Sequence, residues 1–446
     1  MEAYDDSNHN LNPEISRYIV DACNRLKDEL IELCQGLVRI RSVNPNCAGV
    51  DRDKELGGEK KCNELIRKIL APVGARVDMF EKEPERTNLV AVFKGTGGGR
   101  SLIFNGHIDT VPVGNYSDWM WGNPFSGNVE DGKIYGRGAC DMKGGVAAQV
   151  IAAKVIAEAG CKLKGDLIVE SVVGEETMSH ELGTTATIER GYVADAAIVS
   201  EPSGPPVHLA IEPATAGLFW MNVTCIGKPT HSSVRWELVR PGGGGSEIGV
   251  NAIEKGTFIL RALQELEQQW GITKRHPLFK PGQFTIHPGV IVGGPHGVLD
   301  PFIVSEYCKI DYAIWFPPQE PAEDIKREIE TYINHVAMLD PWLAEHPPKI
   351  EWVEYWPAAN IDKDSSICQV CASAHEFTTG APVTYQGFTA VCDAAFLDLK
   401  GIPSIVYGPG DILVAHSINE FVEIEELITA AKTYAVTAVN WCGVEC

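Results

Sequence analysis

One apolar run that ends in polar side chains decides the fold: residues 101–105, Ser-Leu-Ile-Phe-Asn, are followed at once by Gly106-His107-Ile108-Asp109. Three further apolar runs are also followed at once by polar residues, at residues 167–173, 196–200 and 402–407. Helical patterns separate the four runs, which is typical of a parallel α/β sheet. Ligands of such sheets bind beyond the carboxyl ends of the strands, so the polar residues after the runs are predicted to converge on one crevice.

A different pattern lies between residues 214 and 356. It predicts a strand, a helix, two strands, a helix and a strand, at residues 218–226, 251–270, 285–292, 306–316, 322–338 and 349–355. This βαββαβ order indicates a ferredoxin-like domain, with a glycine-rich loop at 242–245. The predicted fold is therefore α/β, with a mostly parallel sheet flanked by helices in a catalytic domain of residues 1–213 and 357–446. The ferredoxin-like α+β domain, residues 214–356, is inserted into it.

Composition excludes several classes of protein. The net charge of −22 opposes binding to nucleic acid or to anionic membranes. The most apolar helical stretch, residues 146–159, contains Lys154 and is shorter than the ~20 residues that cross a bilayer. Residues 1–17 lack the pattern of a secretory signal, and thirteen scattered cysteines favour a reducing compartment. We therefore expect a cytoplasmic protein.

Cys368 and Cys371 form a CxxC pair. We interpret this pair as one face of a helix, because a structural zinc site would need a second pair at a suitable distance. A redox or metal role is the alternative.

A hydrolytic metal centre needs imidazoles and carboxylates as ligands and another carboxylate that takes a proton from water. His107 and Asp109 form an HxD pair, in which Asp109 is expected to lie behind His107 and fix its tautomer. Asp141 lies in a glycine-rich turn that opens a helix. Glu175 and Glu176 are adjacent, so their side chains diverge, and one can face a metal while the other reaches the water.

Two further candidates follow predicted strands. Glu201 precedes Pro202, and His416 lies in Ala415-His416-Ser417. Taken alone, each of these motifs is more often a surface turn, a helix start or a solvated face. Their joint occurrence is harder to explain without a metal, because several carboxylates at buried strand ends repel one another unless a multivalent cation holds them.

The order and wording of the motifs resemble the zinc-dependent family of acetylornithine deacetylase, succinyl-diaminopimelate desuccinylase, aminoacylase and the glutamate carboxypeptidases. The matching segments span nearly the whole chain: residues 106–112, 136–145, 174–176, 200–203, 227–232 and 408–416. The resemblance implies two divalent metal ions, with zinc expected first and cobalt or manganese as alternatives.

The resemblance also implies a role for each candidate residue. His107 and Glu201 would hold one metal, Glu176 and His416 the other, and Asp141 would bridge both. Asp109 would orient His107. Glu175 would be the general base and then the acid to the leaving nitrogen.

His231 matches a family histidine that crosses a dimer interface and donates a hydrogen bond to the oxyanion in the partner's site. The resemblance therefore implies a homodimer formed through the inserted lid domain, and the alternative interpretation of His231 is a structural histidine in a loop of that domain. Five positions are candidates for substrate contact: Arg235, Asn251, Gly387, Asp393 and Gly408. We interpret the histidines outside the motifs as structural, among them His180, His208, His287, His296 and His375.

Two positions depart from the family pattern. Many members place an arginine near Ala313 to grip a substrate carboxylate, so this recognition is in doubt unless Arg235, Arg240 or Lys309 replaces it. Cys140 stands where serine is commoner, before an intact Asp141.

The leading hypothesis is a metal-dependent hydrolase that cleaves an amide bond in a small N-acylated amino acid or related molecule. A dipeptidase or carboxypeptidase is the second. Hydrolysis of another C–N bond, such as that of an aryl amine, is the third, suggested by Trp119-Met120-Trp121 and the missing arginine. A non-catalytic binding protein would be favoured if a ligand or Glu175 were missing, and none is.

Overall fold

The computed structural model describes residues 11–295, 297–298 and 300–445. His296 and residues 1–10, which entered the sequence predictions, lie outside these ranges. The chain forms two compact units. The larger unit contains residues 11–215, 359–388 and 392–445, and the smaller unit contains residues 216–358 and 389–391.

A six-stranded sheet forms the centre of the larger unit, in the order β1-β2-β7-β3-β8-β13. The four strands from β7 to β13 are parallel, while β1 and β2 add an antiparallel hairpin at one edge. The strands are β1 (Arg76–Glu83), β2 (Arg86–Phe93), β3 (Leu102–His107), β7 (Leu167–Val172), β8 (Ala196–Val199) and β13 (Ser404–Val406). The four parallel strands are the four predicted from the apolar runs, and the prediction of a mostly parallel sheet is confirmed.

Helices surround this sheet because their apolar faces cover it. The most deeply buried is α5, in which small alanines allow close packing against α2, α13 and the sheet. The helices of this unit are α1 (Pro13–Arg25), α2 (Lys27–Arg39), α3 (Arg52–Glu55), α4 (Gly58–Leu70), α5 (Gly144–Glu158), α6 (Thr184–Glu189), α11 (Ser366–Thr379), α12 (Ala394–Asp398) and α13 (Ile424–Cys442). No helix in the described part of the chain has the length and apolarity needed to span a bilayer.

Two small sheets complete the larger unit. One has the order β14-β5-β4 and joins β4 (Asn128–Glu130), β5 (Lys133–Tyr135) and β14 (Phe421–Glu423). The other pairs β6 (Lys162–Leu163) with β15 (Val444–Glu445). The predicted helical position of Cys368 and Cys371 is correct, since both are buried on α11 as free thiols.

The smaller unit is a four-stranded antiparallel sheet in the order β10-β11-β9-β12. Its strands are β9 (Gly217–Ile226), β10 (Ile286–Gly294), β11 (Tyr307–Phe316) and β12 (Lys349–Trp356), and its helices are α7 (Arg235–Val239), α8 (Ala252–Thr273), α9 (Ala322–Ala337) and α10 (Pro341–Glu345). Alternate residues of β11 are buried, as expected for a sheet with one covered face. This is the predicted βαββαβ order, and residues 242–245 lie in the predicted loop between α7 and α8.

Candidate metal centre

The strand ends of the larger unit bring the candidate ligands to one edge of the sheet. His107 is the last residue of β3, and Glu201 lies just beyond β8. Glu175 and Glu176 follow β7 after Gly174, whose φ of +93° favours glycine. The register pairs β3 with both β7 and β8, so these three strands end side by side.

Three carboxylates surround one nitrogen of His107. Its Nε2 atom lies 3.0 Å from Asp141 Oδ1, 3.5 Å from Glu201 Oε1 and 3.8 Å from Glu175 Oε2. The ring is almost completely buried. A neutral imidazole nitrogen among carboxylate oxygens is a common zinc environment.

A second imidazole completes the group. Nε2 of His416 lies 3.0 Å from Glu176 Oε2 and 3.2 Å from Asp141 Oδ2. The two oxygens of Asp141 therefore face different histidines. Asp141 could therefore contact a cation beside each of the two imidazoles.

The chemistry of the donor set fits divalent cations. The ligand atoms of His107, Asp141 and Glu176 lie within 4.8 Å of one another, as do those of His107, Glu175 and Glu201. Buried carboxylates so close together repel one another unless positive charge compensates them. The structure therefore supports divalent metal binding here.

The electrostatics of the site agree with this interpretation. Burial raises the pKa of Glu201 to about 7 and the pKa of Glu175 well above its ordinary value. Hydrogen bonds to Asp141 and Glu176 raise the pKa of His416 to about 11. The site thus concentrates negative charge among buried groups, which favours the binding of a cation.

Asp109 supports the site through different atoms from those predicted. Nδ1 of His107 lies 3.0 Å from the main-chain carbonyl oxygen of Asp109 but 3.8 Å from its carboxylate. The main chain therefore orients the imidazole. The carboxylate instead accepts hydrogen bonds from Asn44 Nδ2 (2.7 Å), Gly174 N (3.0 Å) and Glu176 N (3.3 Å), which positions the turn carrying the two glutamates.

Sequence reasoning missed Glu420 as a supporting residue. Its buried carboxylate pairs with Arg137 and accepts hydrogen bonds from the main-chain amides of Cys140 (2.9 Å) and Asp141 (3.1 Å). Arg137 Nη2 also donates to the main-chain carbonyl of His416 at 3.1 Å. The one sequence signal is that Glu420 stands four residues after His416.

Three of the five candidate substrate contacts lie in the larger unit. Asp393 is buried immediately before α12, and burial raises its pKa to about 6. Gly408 has a packing role, since a Cβ atom there would lie 2.4 Å from the carbonyl oxygens of Ser200 and Glu201. Gly387 is buried.

The remaining two have partners in the smaller unit. Arg235 forms an ion pair with Glu254. The side chain of Asn251 caps α8 by accepting a hydrogen bond from the amide of Ile253 at 3.0 Å. These contacts give both side chains a structural role within the smaller unit.

His231 lies in an exposed loop of the smaller unit. Its Nδ1 atom is 3.1 Å from the amide of Ser233, which donates to it, and 2.7 Å from the hydroxyl oxygen of the same residue. A neutral ring that accepts a hydrogen bond at Nδ1 carries its proton on Nε2.

The cations proposed to replace the missing arginine are already ion-paired. Arg240 lies 2.9 Å from Glu237, and Lys309 lies 3.2 Å from Asp311. Arg235 has Glu254 as its partner. None of the three is a free cation in this structure.

Histidines outside the motifs have structural contacts. His180 is hydrogen-bonded to Thr185 and stacks on Phe396. His375 is hydrogen-bonded to the hydroxyl group of Tyr407.

Comparison with known proteins agrees with this geometry. Residues 103–440 match the sequence profile described as peptidase family M20/M25/M40. The chain belongs to this family. It is therefore a metal-dependent hydrolase, and the family relationship suggested by the motifs is confirmed.

The relatives of this M20-family hydrolase include amide-cleaving enzymes. N-formyl-4-amino-5-aminomethyl-2-methylpyrimidine deformylase of Halalkalibacterium halodurans is 39% identical, over 93% of this chain and 95% of the relative. The protein of the same name from Bacillus subtilis is 34% identical, over 94% and 95%. Acetylornithine deacetylase of Myxococcus xanthus is 31% identical, over 80% and 85%.

Solved structures show the same fold at low sequence identity. Human carnosine dipeptidase 1 superposes with a TM-score of 0.70 at 15% identity, over 96% of this chain and 99% of that chain. The dipeptidase Dug1p of Saccharomyces cerevisiae has the same TM-score at 14% identity, over 96% and 98%. These structures support the fold.

Proposed function

We propose that this enzyme removes the formyl group from a small N-formylated heterocyclic amine of the aminomethylpyrimidine type. The observation that carries the proposal is the 39% and 34% identity, over nearly the full chain, to two deformylases that act on such a compound. The second candidate is an N-acyl amino acid deacylase, favoured by the 31% identity to acetylornithine deacetylase.

The ion pairs formed by the cationic residues of the smaller unit favour the first candidate, the deformylase. An N-acyl amino acid carries a carboxylate, and a buried carboxylate needs a cationic or hydrogen-bonding partner. Arg235, Arg240 and Lys309 are each ion-paired, and the methyl side chain of Ala313 cannot bind a carboxylate. A neutral N-formyl amine needs no such partner.

The ligand geometry suggests how two metals would be held. His107 and Glu201 would bind one ion, Glu176 and His416 the other, and Asp141 would bridge them through its two oxygens. Zinc is the proposed metal, because imidazole and carboxylate ligands suit it, while cobalt or manganese would also fit. When bound, such a pair polarises the scissile carbonyl and makes water more acidic.

Glu175 has the position of the proposed general base. Its carboxylate lies beside the ligand group, and burial holds its pKa high. In the proposed reaction it accepts a proton from the water that attacks the formyl carbon. It returns that proton to the amine nitrogen as the C–N bond breaks, so that the products are formate and the free amine.

His231 is the proposed donor to the oxyanion, acting across a homodimer. Support comes from its Nε2 proton, since the Ser233 amide donates to Nδ1. The edge strand β10 exposes Val290, Ile291 and Val292, each by slightly more than half. An exposed apolar edge strand favours pairing with another chain, and we propose the smaller unit as the dimer interface. The odd cysteine count and the free thiols favour a cytoplasmic location.

A substrate comparison tests the function. The metal-loaded enzyme is offered N-formyl-4-amino-5-aminomethyl-2-methylpyrimidine, N-acetylornithine and a dipeptide, and release of formate, acetate or amino acid is measured. We expect kcat/KM for the formyl compound to exceed the others by about 100-fold or more. A chelator and the Asp141→Ala variant provide the inactive controls. Preference for N-acetylornithine would replace the proposal with the second candidate.

A further inference from the structure

We propose that the indole of Trp121 forms a stacking surface for the aromatic ring of the substrate, beside the loop that carries His416. This inference rests on the proposed function and deepens it, because it assigns recognition of a planar heterocycle to one residue. The supporting group is called the aromatic rim and consists of Trp121, Tyr135 and Phe421.

The two tryptophans of the Trp119-Met120-Trp121 segment have different surroundings. Trp119 is only 4% exposed, packs in a small core with Val43, Val113 and Phe125, and donates its indole N–H to the carbonyl of Val113 at 2.8 Å. Trp121 is 47% exposed. Stabilisation of the fold explains Trp119, but it does not explain a large exposed ring two residues later.

The aromatic rim is attached to the segment that carries the metal-ligand candidate His416. The amide of Met120 donates to Asn419 Oδ1 at 2.7 Å, and Asn419 is three residues after His416. Strand β14, which begins with Phe421, pairs with β5, and Phe421 lies opposite Tyr135. The segment of Trp121 is therefore connected to the loop of His416 by a hydrogen bond and by the pairing of β5 with β14.

The ring of Trp121 packs within the aromatic rim. Its ring centroid lies 5.6 Å from that of Tyr135 in an edge-to-face arrangement, and Tyr135 lies 5.5 Å from Phe421. Lys133 lies over the Phe421 ring at 3.9 Å. Edge-to-face contact with Tyr135 leaves much of the indole accessible, and a preformed aromatic surface loses little freedom when a ligand stacks on it.

The backbone of these two segments adopts conformations that most residues avoid. Trp121, His416 and Asn419 have φ angles of +58°, +59° and +62°. A bulky side chain in the left-handed region is disfavoured, and such residues cluster at ligand sites. The positive φ of Trp121 therefore agrees with a role in binding.

The chemistry of the ligand follows from the surface. An indole face attracts planar π systems and cations, and a saturated ring of similar size gains less from it. An aminopyrimidine is planar and protonatable. The aromatic rim therefore predicts discrimination between a heteroaromatic amine and its saturated counterpart.

Direct binding tests this inference without depending on turnover. Calorimetry on the metal-loaded enzyme compares 4-amino-5-aminomethyl-2-methylpyrimidine with aminomethylcyclohexane. We expect Trp121→Ala to weaken binding of the pyrimidine roughly tenfold while changing the cyclohexane compound less than twofold. Trp121→Phe should retain most of the affinity, and Tyr18→Ala, which alters an exposed ring on α1, should have no effect. Metal content should be equal in all four proteins.

The outcomes separate this inference from the proposed function. If both amines are weakened equally, or neither is, Trp121 does not recognise the ring and the inference is wrong. The same conclusion follows if the wild-type enzyme binds neither amine. If pyrimidine binding depends on Trp121 but no formate is released from the N-formyl compound, the stacking surface stands and the proposed reaction fails.

Discussion

Glu420 and Arg137 form a buried ion pair that connects the turn of Asp141 to the loop of His416. The carboxylate accepts hydrogen bonds from the amides of Cys140 and Asp141, while the guanidinium donates to the carbonyl of His416. Two segments far apart in the sequence are thus joined through one pair. The spacing of two proposed metal ligands depends on it.

Changing Glu420 should therefore weaken metal binding without removing a ligand. Glu420→Gln keeps the shape of the side chain but leaves the charge of buried Arg137 uncompensated. We expect metal affinity, measured by competition with a chelator, to fall about 10- to 100-fold, as is usual for residues that orient ligands. Thermal unfolding should occur at a lower temperature. Glu423→Gln, three residues further on at the end of β14 and partly exposed, is the control, and equal affinities in the two variants would contradict the prediction.

Glu175 and Glu176 should respond differently to the same substitution. Glu176 lies 3.0 Å from His416 and is the proposed ligand, whereas Glu175 is the proposed base. Glu175→Gln should retain metal and lose nearly all turnover, because an amide cannot accept the proton. Glu176→Gln should lose metal as well as turnover. Elemental analysis and single-substrate kinetics distinguish the two, and equal metal loss in both variants would show that the roles are misassigned.

The sheet and the inserted domain could be predicted because their signals are local. An apolar run that stops at a polar turn indicates a buried parallel strand, and four such runs place their ends at one edge. The sequence therefore predicts that His107, Glu201 and the two glutamates lie together. Alternation of apolar and polar residues, together with helical spacing, likewise predicts the βαββαβ order of the smaller unit.

The supporting contacts could not be predicted in this way. Glu420 lies in an acidic stretch that continues to Glu426, so its composition resembles an ordinary helix start. Its role depends on hydrogen bonds from the amide groups of residues 140 and 141. These residues are far from Glu420 in the sequence, so no spacing pattern predicts the contact. For Asp109, alternation indicates where the side chain points, but the contact of its main-chain carbonyl with His107 depends on the path of the backbone after β3.

A buried acid on β7 should make the protein less stable as the pH rises. Glu170 is completely buried, and burial raises its pKa to about 7 from the ordinary 4.5. Between these values the folded chain holds a proton that the unfolded chain has lost, so stability decreases as the pH increases through this window. Glu170→Gln removes the titrating group.

The unfolding temperature should report this difference. We expect Glu170→Gln to unfold close to the wild-type temperature at pH 5 and several degrees higher at pH 8, when both proteins are measured in the same metal buffer. Glu64→Gln, at an exposed position on α4, should follow the wild type at both pH values. A constant difference between Glu170→Gln and the wild type from pH 5 to pH 8 would contradict the raised pKa.

His231 should support catalysis from the partner subunit if the proposed dimer forms. Removing a preset oxyanion donor typically lowers turnover by ~10²–10³, so His231→Ala should depress kcat to this extent while retaining metal. A mixed dimer of His231→Ala and Glu175→Gln chains has one site that lacks both groups and one that lacks neither. Mixing the two inactive proteins should then restore up to about half of the wild-type activity in each mixed dimer, because the interface has two-fold symmetry.

The control for this experiment replaces the Glu175→Gln chain by the double variant Glu175→Gln, His231→Ala, which leaves every site of the mixed dimer without a donor. Activity should then not exceed that of the His231→Ala chains alone, because one site of each mixed dimer works at the His231→Ala level and the other lacks both groups. Subunit exchange is verified with differently tagged chains. If exchange occurs and the first mixture recovers no activity, His231 acts within its own chain or has no catalytic role, and the smaller unit does not complete the partner's site.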